Sequence, residues 1–329
     1  MVITLPASHS RKGPRQINPN SDLPQLIDLL RLVFGKELDA EGQQMFRSLP
    51  DSSAPAIFWR LDPLLARLWP GYVWEVDGRI VGNVTLLPTR SPRRYLVANV
   101  AVHPDFRQQG IARALMSSIE EDVRQRRGRE ILLQVDYDNE MAIRLYQSLG
   151  YEVRGSVTSW RSSVSRVRDL PVEERGTHRF KRVRKLERKR WKEAYRLDCL
   201  ALIPDLHWPD TLEVEAYKKG LWQRASDFLN GRVERTWMTV NDENRIIGMA
   251  SILSEWGRPH QINLRVHPLW KGQVEWLLLQ KTISKLRALS RRNVQIFHIA
   301  DDELVNRLLN LANFSSHRTL THMRLELNG

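Results

Sequence analysis

The sequence predicts an α/β chain made of two similar domains, and three observations predict it. Strand-like apolar runs alternate with amphipathic helical stretches in both halves. Asp77-Gly78 sits between two apolar runs as a tight hairpin turn does. The first half also returns, altered, in the second. RIVGNVTLL from Arg79 recurs as RIIGMASIL from Arg245, VAVHPDFRQQ as LRVHPLWKGQ, and DNEMAIRLYQSLGY as DDELVNRLLNLANF, at offsets of 166, 164 and 163 residues. Near-constant offsets over three landmarks mark a duplicated domain.

A chain of 329 residues, 42% of them apolar, is long enough to bury two cores. No apolar run approaches the roughly 20 residues that span a bilayer. The start, MVITLPASHSRKGPRQ, lacks the cationic head and apolar segment of a secretory leader. One cysteine, Cys199, rules out an internal disulfide and a cysteine-based metal site. These features predict a cytoplasmic protein with no metal and no membrane partner. The net charge of +13 divides as +3 over residues 1–165 and +10 over the rest, concentrated between Arg175 and Arg196. Such a surplus suits a nucleic acid, an acidic peptide or an anionic cofactor. Aromatic interleaving is thin there (Phe180, Trp191), so the stretch reads as a solvated helix face and argues against a nucleic-acid partner.

Taken in order, residues 16–19 read as a first short strand. Asn20, Ser21 or Asp22 then caps a helix with Leu26, Leu29, Leu30 and Val33 on one side. A second helical stretch spans 41–49, and Phe58, Trp59 and Trp69 are candidates for a pocket lining or for core. The hairpin strands start at Tyr72 and Ile80. A basic loop, Arg90 to Arg94, leads into a central strand in which Ala98, Val100 and Val102 alternate with Val97, Asn99 and Ala101. After the His103-Pro104 break comes a helix with Ile111, Ala114, Leu115, Ile119 and Val123 at helical spacing, closed by the cations of Arg124 to Arg129. Residues 131–136 form the next strand, Asp138 or Asn139 starts another helix, and Gly150 stops it. Residues 153–164 finish the first domain, and DLPVEERGT is the linker, which puts the domains at 1–168 and 175–329.

The chemistry is concentrated in Arg107, Gln108, Gln109, Gly110, Ile111 and Ala112, where successive backbone N–H groups come free as a helix begins. A helix N-terminus carries about half a positive charge and unpaired donors, so it suits a diphosphate. Gly110 lets a ligand approach the backbone, and Arg107 can reach an outlying phosphate.

This loop, Arg107-x-x-Gly110-x-Ala112, followed by Asn139, Ala142, Leu145, Tyr146, Leu149, Gly150 and Tyr151, resembles the two spaced signatures of the GCN5-related N-acetyltransferase (GNAT) family. Within it, NVAVHPDFRQQGIARAL and AIRLYQSLGY look most like bacterial enzymes that acetylate protein N-termini. The resemblance implies that each domain is a mixed, mostly antiparallel twisted sheet flanked by helices. It also implies acetyl-CoA as co-substrate and an amine acceptor, either a peptide N-terminus or a small molecule. A bulge would splay the central strand so that Val100, Ala101 and Val102 meet the pantetheine amides, with a backbone N–H near Val100 at the oxyanion. Residues 107–112, Arg113 and Asn139 would complete the cofactor site, and Tyr146 would protonate the departing thiolate. The family's acceptor region falls on Phe58, Trp59 and Trp69. Where the N-terminal acetyltransferases have a glutamate this chain has Gln134, which leaves Asp136, Glu75 or a water held by Asn99 as the base. Asp136 is the choice.

In the repeat Gly110 is matched by Val274, Ile111 by Glu275, Ala112 by Trp276, Asn139 by Asp302 and Tyr146 by Leu309. A carboxylate and an indole at the phosphate cradle predict that the second domain keeps the fold and has lost the cofactor site. The competing reading is a non-catalytic module that binds CoA or nucleic acid through the basic second domain.

Overall fold

The computed structural model describes residues 13–35, 70–171, 183–202 and 231–327, with the isolated positions 206, 214, 217 and 227. The expected helix over 41–49, the aromatics Phe58, Trp59 and Trp69, and most of the linker lie outside the described residues. The chain divides into two compact units. The first is Met1–Gln134 with Met141–Glu152 and Met323–Gly329; the second is Val135–Glu140 with Val153–His322.

In the first unit β1 (Gly13–Gln16), β2 (Gly71–Val76), β3 (Arg79–Pro88) and β4 (Arg94–Val102) pair antiparallel in that order, and β4 pairs parallel with β5 (Glu130–Asp136). The β2–β3 turn is Asp77-Gly78 with both residues at positive φ, as the sequence predicts. β1 falls earlier than the expected 16–19, because Asn18 is drawn into a turn: its N–H donates to Asp22 Oδ2 at 2.7 Å, and its carbonyl accepts from Ser21 and Asp22. Asp22 therefore makes no side-chain cap on helix α1 (Leu23–Phe34); it takes Arg15 Nη1 at 2.5 Å instead.

Helix α1 buries Leu23, Leu26, Ile27, Leu29 and Leu30 against Val73, Ile80 and Ala101. Helix α2 (Ile111–Gln125) buries Ile111, Leu115, Met116, Ile119 and Val123. It lies on bare backbone at Gly82 of β3, where an added Cβ would come within 2.8 Å of Ile111 and 3.0 Å of Leu115. That close seat fixes where the N-terminus of α2 points. A short helix α3 (Glu140–Ser148) follows β5 and ends before Gly150, which is at φ 89°.

The second unit repeats the plan: β7 (Arg184–Lys185), α4 (Trp191–Ala201), β8 (Val233–Val240), β9 (Ile246–Ser254), β10 (His260–Val266), α5 (Glu275–Leu286), β11 (Asn293–Ile299) and α6 (Glu303–Leu311). Only β10–β11 is parallel among its described strand pairs, as only β4–β5 is in the first. The turn after the central strand is reproduced closely. His103 accepts the N–H of Asp105 at 3.3 Å, and His267 that of Leu269 at 3.2 Å.

The closing strands do not divide at residue 168. Strand β6 (Glu152–Ser163) pairs antiparallel with β11, from Ser163 opposite Asn293 to Val157 opposite Ile299, which groups residues 153–168 with the second unit. The final strand β12 (Ser315–Glu326) begins in the second unit and ends in the first. No helix among the described residues is long and apolar enough to cross a membrane.

Met323, Leu325 and Leu327 are buried, and the Leu327 N–H donates to the Arg129 carbonyl at 2.8 Å. Each such side chain contributes roughly 1.5–3 kcal/mol. Truncation after His322 is therefore expected to raise amide exchange across β3 and β5, and unchanged exchange there would show that the strand end supports nothing.

Candidate functional site

The site is built on β4. Its parallel ladder with β5 ends at Val97 opposite Leu133, although β4 runs on to Val102. On the other side the β3–β4 register shifts between Asn83 and Thr85, and Asn99 is at φ 53°. Asparagine tolerates this left-handed backbone better than other residues with a side chain. Asn83 Nδ2 donates to the Asn99 carbonyl at 2.8 Å, and Asn99 Nδ2 to Thr85 Oγ1 at 3.3 Å. Beyond the bulge, residues 98–102 have no pairing with β5, and this stretch contains Val100, Ala101 and Val102.

Asn83 and Thr85 are fully buried, and sequence reasoning did not single them out. The available signal was two polar residues inside the apolar run RIVGNVTLL.

After β4 the chain makes a short turn and reaches Arg107. Gln108 is at φ 61° and Gly110 at φ 77°, so the loop bends twice through the left-handed region before α2 begins. Residues 107–110 are exposed, and an added Cβ at Gly110 would meet nothing within 4 Å. No described acceptor takes the backbone N–H groups of Gln108, Gln109, Gly110, Ile111, Ala112 or Arg113; the first helical bond is from Ala114 to Gly110. These six donors converge at the positive end of a 15-residue helix. Arg107 Nε donates to the Val102 carbonyl at 3.3 Å, and no described carboxylate pairs with it. Arg113 turns away and donates to Ser148 Oγ of α3 at 2.6 Å.

Tyr146, on α3, is buried, with its ring centroid 6.0 Å from that of Tyr151. Burial pushes the Tyr146 phenol well above its ordinary range, so it stays protonated and keeps a hydrogen to donate at neutral pH. The hydroxyl of Tyr151 is also buried and has no described partner.

Asp136 and Asn139 lie in the stretch Val135–Glu140 that groups with the second unit. Arg318 grips the Asp136 carboxylate, Nε to Oδ1 and Nη2 to Oδ2, both at 2.6 Å. Glu75 is likewise engaged, by Arg15 Nε at 2.7 Å. Asn139 is exposed, and its N–H donates to the Asp136 carbonyl at 3.0 Å. Among the described residues no group of three His, Cys, Asp or Glu side chains is placed to hold a metal.

The second unit's counterpart differs where it matters. Its central strand β10 pairs with β9 in unbroken register from Gln261 to Val266, with no bulge at Asn263, although its ladder with β11 ends early, at Ile262. At the head of α5 two of the loop amides are taken by a side chain. Glu275 is buried; its Oε1 accepts the N–H of Gly272 at 2.8 Å and its Oε2 that of Val274 at 3.1 Å. Trp276 Nε1 donates to the Pro171 carbonyl at 3.0 Å. A carboxylate from within the chain thus occupies two of the donors whose counterparts in the first unit stand open.

In the described part of the basic stretch three cations have partners within the chain. Arg184 Nη2 donates to Asn244 Oδ1 at 2.7 Å, Arg190 Nε to Glu193 Oε1 at 2.9 Å, and Lys189 pairs with Glu187 at 2.9 Å.

The model of the acetyltransferase (GNAT) family matches residues 37–151, which hold the bulged strand, the open loop and Tyr146. These residues are thus similar to GNAT-family acetyltransferases. The same part of the chain is similar to an acetyltransferase of Pectobacterium atrosepticum, 40% identical over 86 residues, or 26% of this chain and 60% of the relative. An acetyltransferase of Sodalis glossinidius is 38% identical over 85 residues, 26% of this chain and 58% of the relative. The chain thus spans about three fifths of the length of these curated relatives. A crystal structure of a GCN5-related N-acetyltransferase from Sphaerobacter thermophilus matches 99% of this chain and 98% of its own, with a TM-score of 0.61 and 18% identity. The fold is therefore shared along the whole chain, beyond residues 37–151.

Glu275→Ala is expected to lower the stability of the second unit by about 1–2 kcal/mol in urea unfolding, because it leaves two loop donors without an acceptor. An unchanged midpoint would mean that the carboxylate is not needed there.

Proposed function

We propose that the first unit transfers an acetyl group from acetyl-CoA to a primary amine, by direct attack of the amine in a ternary complex. The observation that carries this reading is the set of six unpartnered amides at residues 108–113, directly downstream of a strand whose edge is freed by a bulge. A diphosphate fits the first feature and an amide-bearing pantetheine arm the second. Acetyl-CoA supplies the acetyl group as a thioester and leaves as a thiolate. The chain's own residues divide the remaining work. Amides 108–113 and Arg107 bind the diphosphate, and the backbone of Val100, Ala101 and Val102 aligns the arm and offers an N–H to the developing oxyanion. Tyr146, kept protonated by burial, donates to the leaving sulfur. The second unit, with two of its loop donors taken by the Glu275 carboxylate, takes no acetyl-CoA.

The base is the step on which the geometry bears most. Both oxygens of Asp136 are taken by Arg318, Nε to Oδ1 and Nη2 to Oδ2, so neither is presented to an incoming amine without breaking that pair. We assign Asp136 an electrostatic role toward the incoming ammonium, with proton loss governed by the amine itself. The acceptor is a peptide N-terminus or a small amine. The internal pairing of Arg184, Lys189 and Arg190 counts against a nucleic-acid module.

Mass spectrometry after incubation with labelled acetyl-CoA and a panel of peptides, polyamines and amino acids tests the reaction, and no labelled product from any of them would refute it. Gly110→Glu is expected to abolish acetyl-CoA binding in calorimetry. Tyr146→Phe should bind normally and turn over roughly 100-fold more slowly, in the range typical of a general acid; wild-type turnover would remove its role. The rate should rise with pH toward the acceptor's own pKa, about 8 for an α-amine and about 10.4 for a lysine-like amine. Asp136→Asn is expected to cost less than about tenfold, and a loss of about 100-fold or more would make it the base.

A further inference from the structure

At one end of the second unit's sheet, where β9 stops and β10 starts, there is a half-open cleft of about 200 Å³ with no carboxylate in its lining. Its cations are Arg235 of β8 and Arg292, which precedes β11. Arg292 Nη1 donates to the backbone carbonyl of Glu255 at 2.6 Å, and the Glu255 carboxylate goes to Arg258 at 3.7 Å. No described acid pairs with Arg235 or Arg292, so two positive charges face the cleft uncompensated.

The walls are fixed by His260, which is buried. Its Nε2 donates to the Ser290 carbonyl at 3.0 Å, and its Nδ1 meets Ser254 Oγ at 2.8 Å. One ring thereby ties the end of β9 to the segment after α5.

The remaining wall is Trp256. Its indole is 70% exposed, yet it lies flat on Gly231, where an added Cβ would come within 2.4–2.5 Å of three ring atoms. A large apolar surface is thus held in place on one face and offered to solvent on the other, within the lining that also presents the two guanidinium groups. Guanidinium forks suit carboxylate and phosphate oxygens, and an open indole face suits a flat ring.

We propose that this cleft binds a small organic anion carrying a planar ring, with Arg235 and Arg292 taking the anionic group and Trp256 stacking on the ring. The site is separate from the acetyl-CoA loop, and its occupancy does not depend on the reaction proposed above.

Saturation-transfer NMR and calorimetry on the full chain, with excess acetyl-CoA present, should test benzoate, phenyl phosphate and uncharged benzyl alcohol. At least one anion should bind saturably, and benzyl alcohol about tenfold or more weaker. A preference for phenyl phosphate assigns a phosphate ligand, and a preference for benzoate a carboxylate. Arg235→Gln should weaken the anion about tenfold or more, and Trp256→Leu should weaken it with an unchanged melting transition. Arg292→Gln serves if the Arg235 variant does not fold. Failure of both anions to saturate, equal binding of benzyl alcohol, or anion binding unaffected by the arginine substitution would overturn the proposal.

Discussion

Backbone donors at the start of a helix must have an acceptor, and what accepts them separates the two halves of this molecule. In the first unit the loop at 108–113 presents its donors to open space. In the second, Glu275 folds back onto the equivalent loop and takes two of its donors. The same turn geometry precedes both, down to the histidine that accepts an N–H two residues on. An open helix start and a side-chain-capped one are therefore alternative answers to one local requirement.

The second constraint is the bulge at Asn99. A parallel strand paired along its full length has no edge for a ligand, so a substrate arm can be gripped by main chain only where the ladder is broken. The break here is held by side chains: buried Asn83 satisfies the Asn99 carbonyl, and Asn99 reaches Thr85. The second unit keeps an asparagine at the matching position, Asn263, but its register with β9 is unbroken. An asparagine in the strand permits the distortion without causing it; the buried polar partners on β3 complete it. On β9, Asn83 is matched by Met249.

Much of this was legible in the sequence. The Asp77-Gly78 hairpin, the helix after Gly110 and the repeat all follow from local rules of turn, cap and period. That the second loop differs from the first was legible in Val274, Glu275 and Trp276. That Glu275 would serve as an internal anion and not merely as a repulsive charge was not, because it depends on a side chain curling back three residues. Local signals were least reliable at Asp22 and Asp136. Each carboxylate was read by its neighbours in sequence, as a cap or as a base, and each is claimed by an arginine, Arg15 or Arg318. Arg318 lies 182 residues from its partner, and only tertiary structure brings them together.

The strand arrangement also has a consequence for synthesis. The first unit includes Met323–Gly329, which leave the ribosome some 170 residues after Glu152. At about 5–20 residues per second, that is a delay of roughly ten to thirty-five seconds. The half made first is thus the half finished last, and until then its sheet waits with an unpaired edge. Any nascent chain that stalls within the second half would release a first unit without its last strand, so a complete first unit reports that translation has passed through the second.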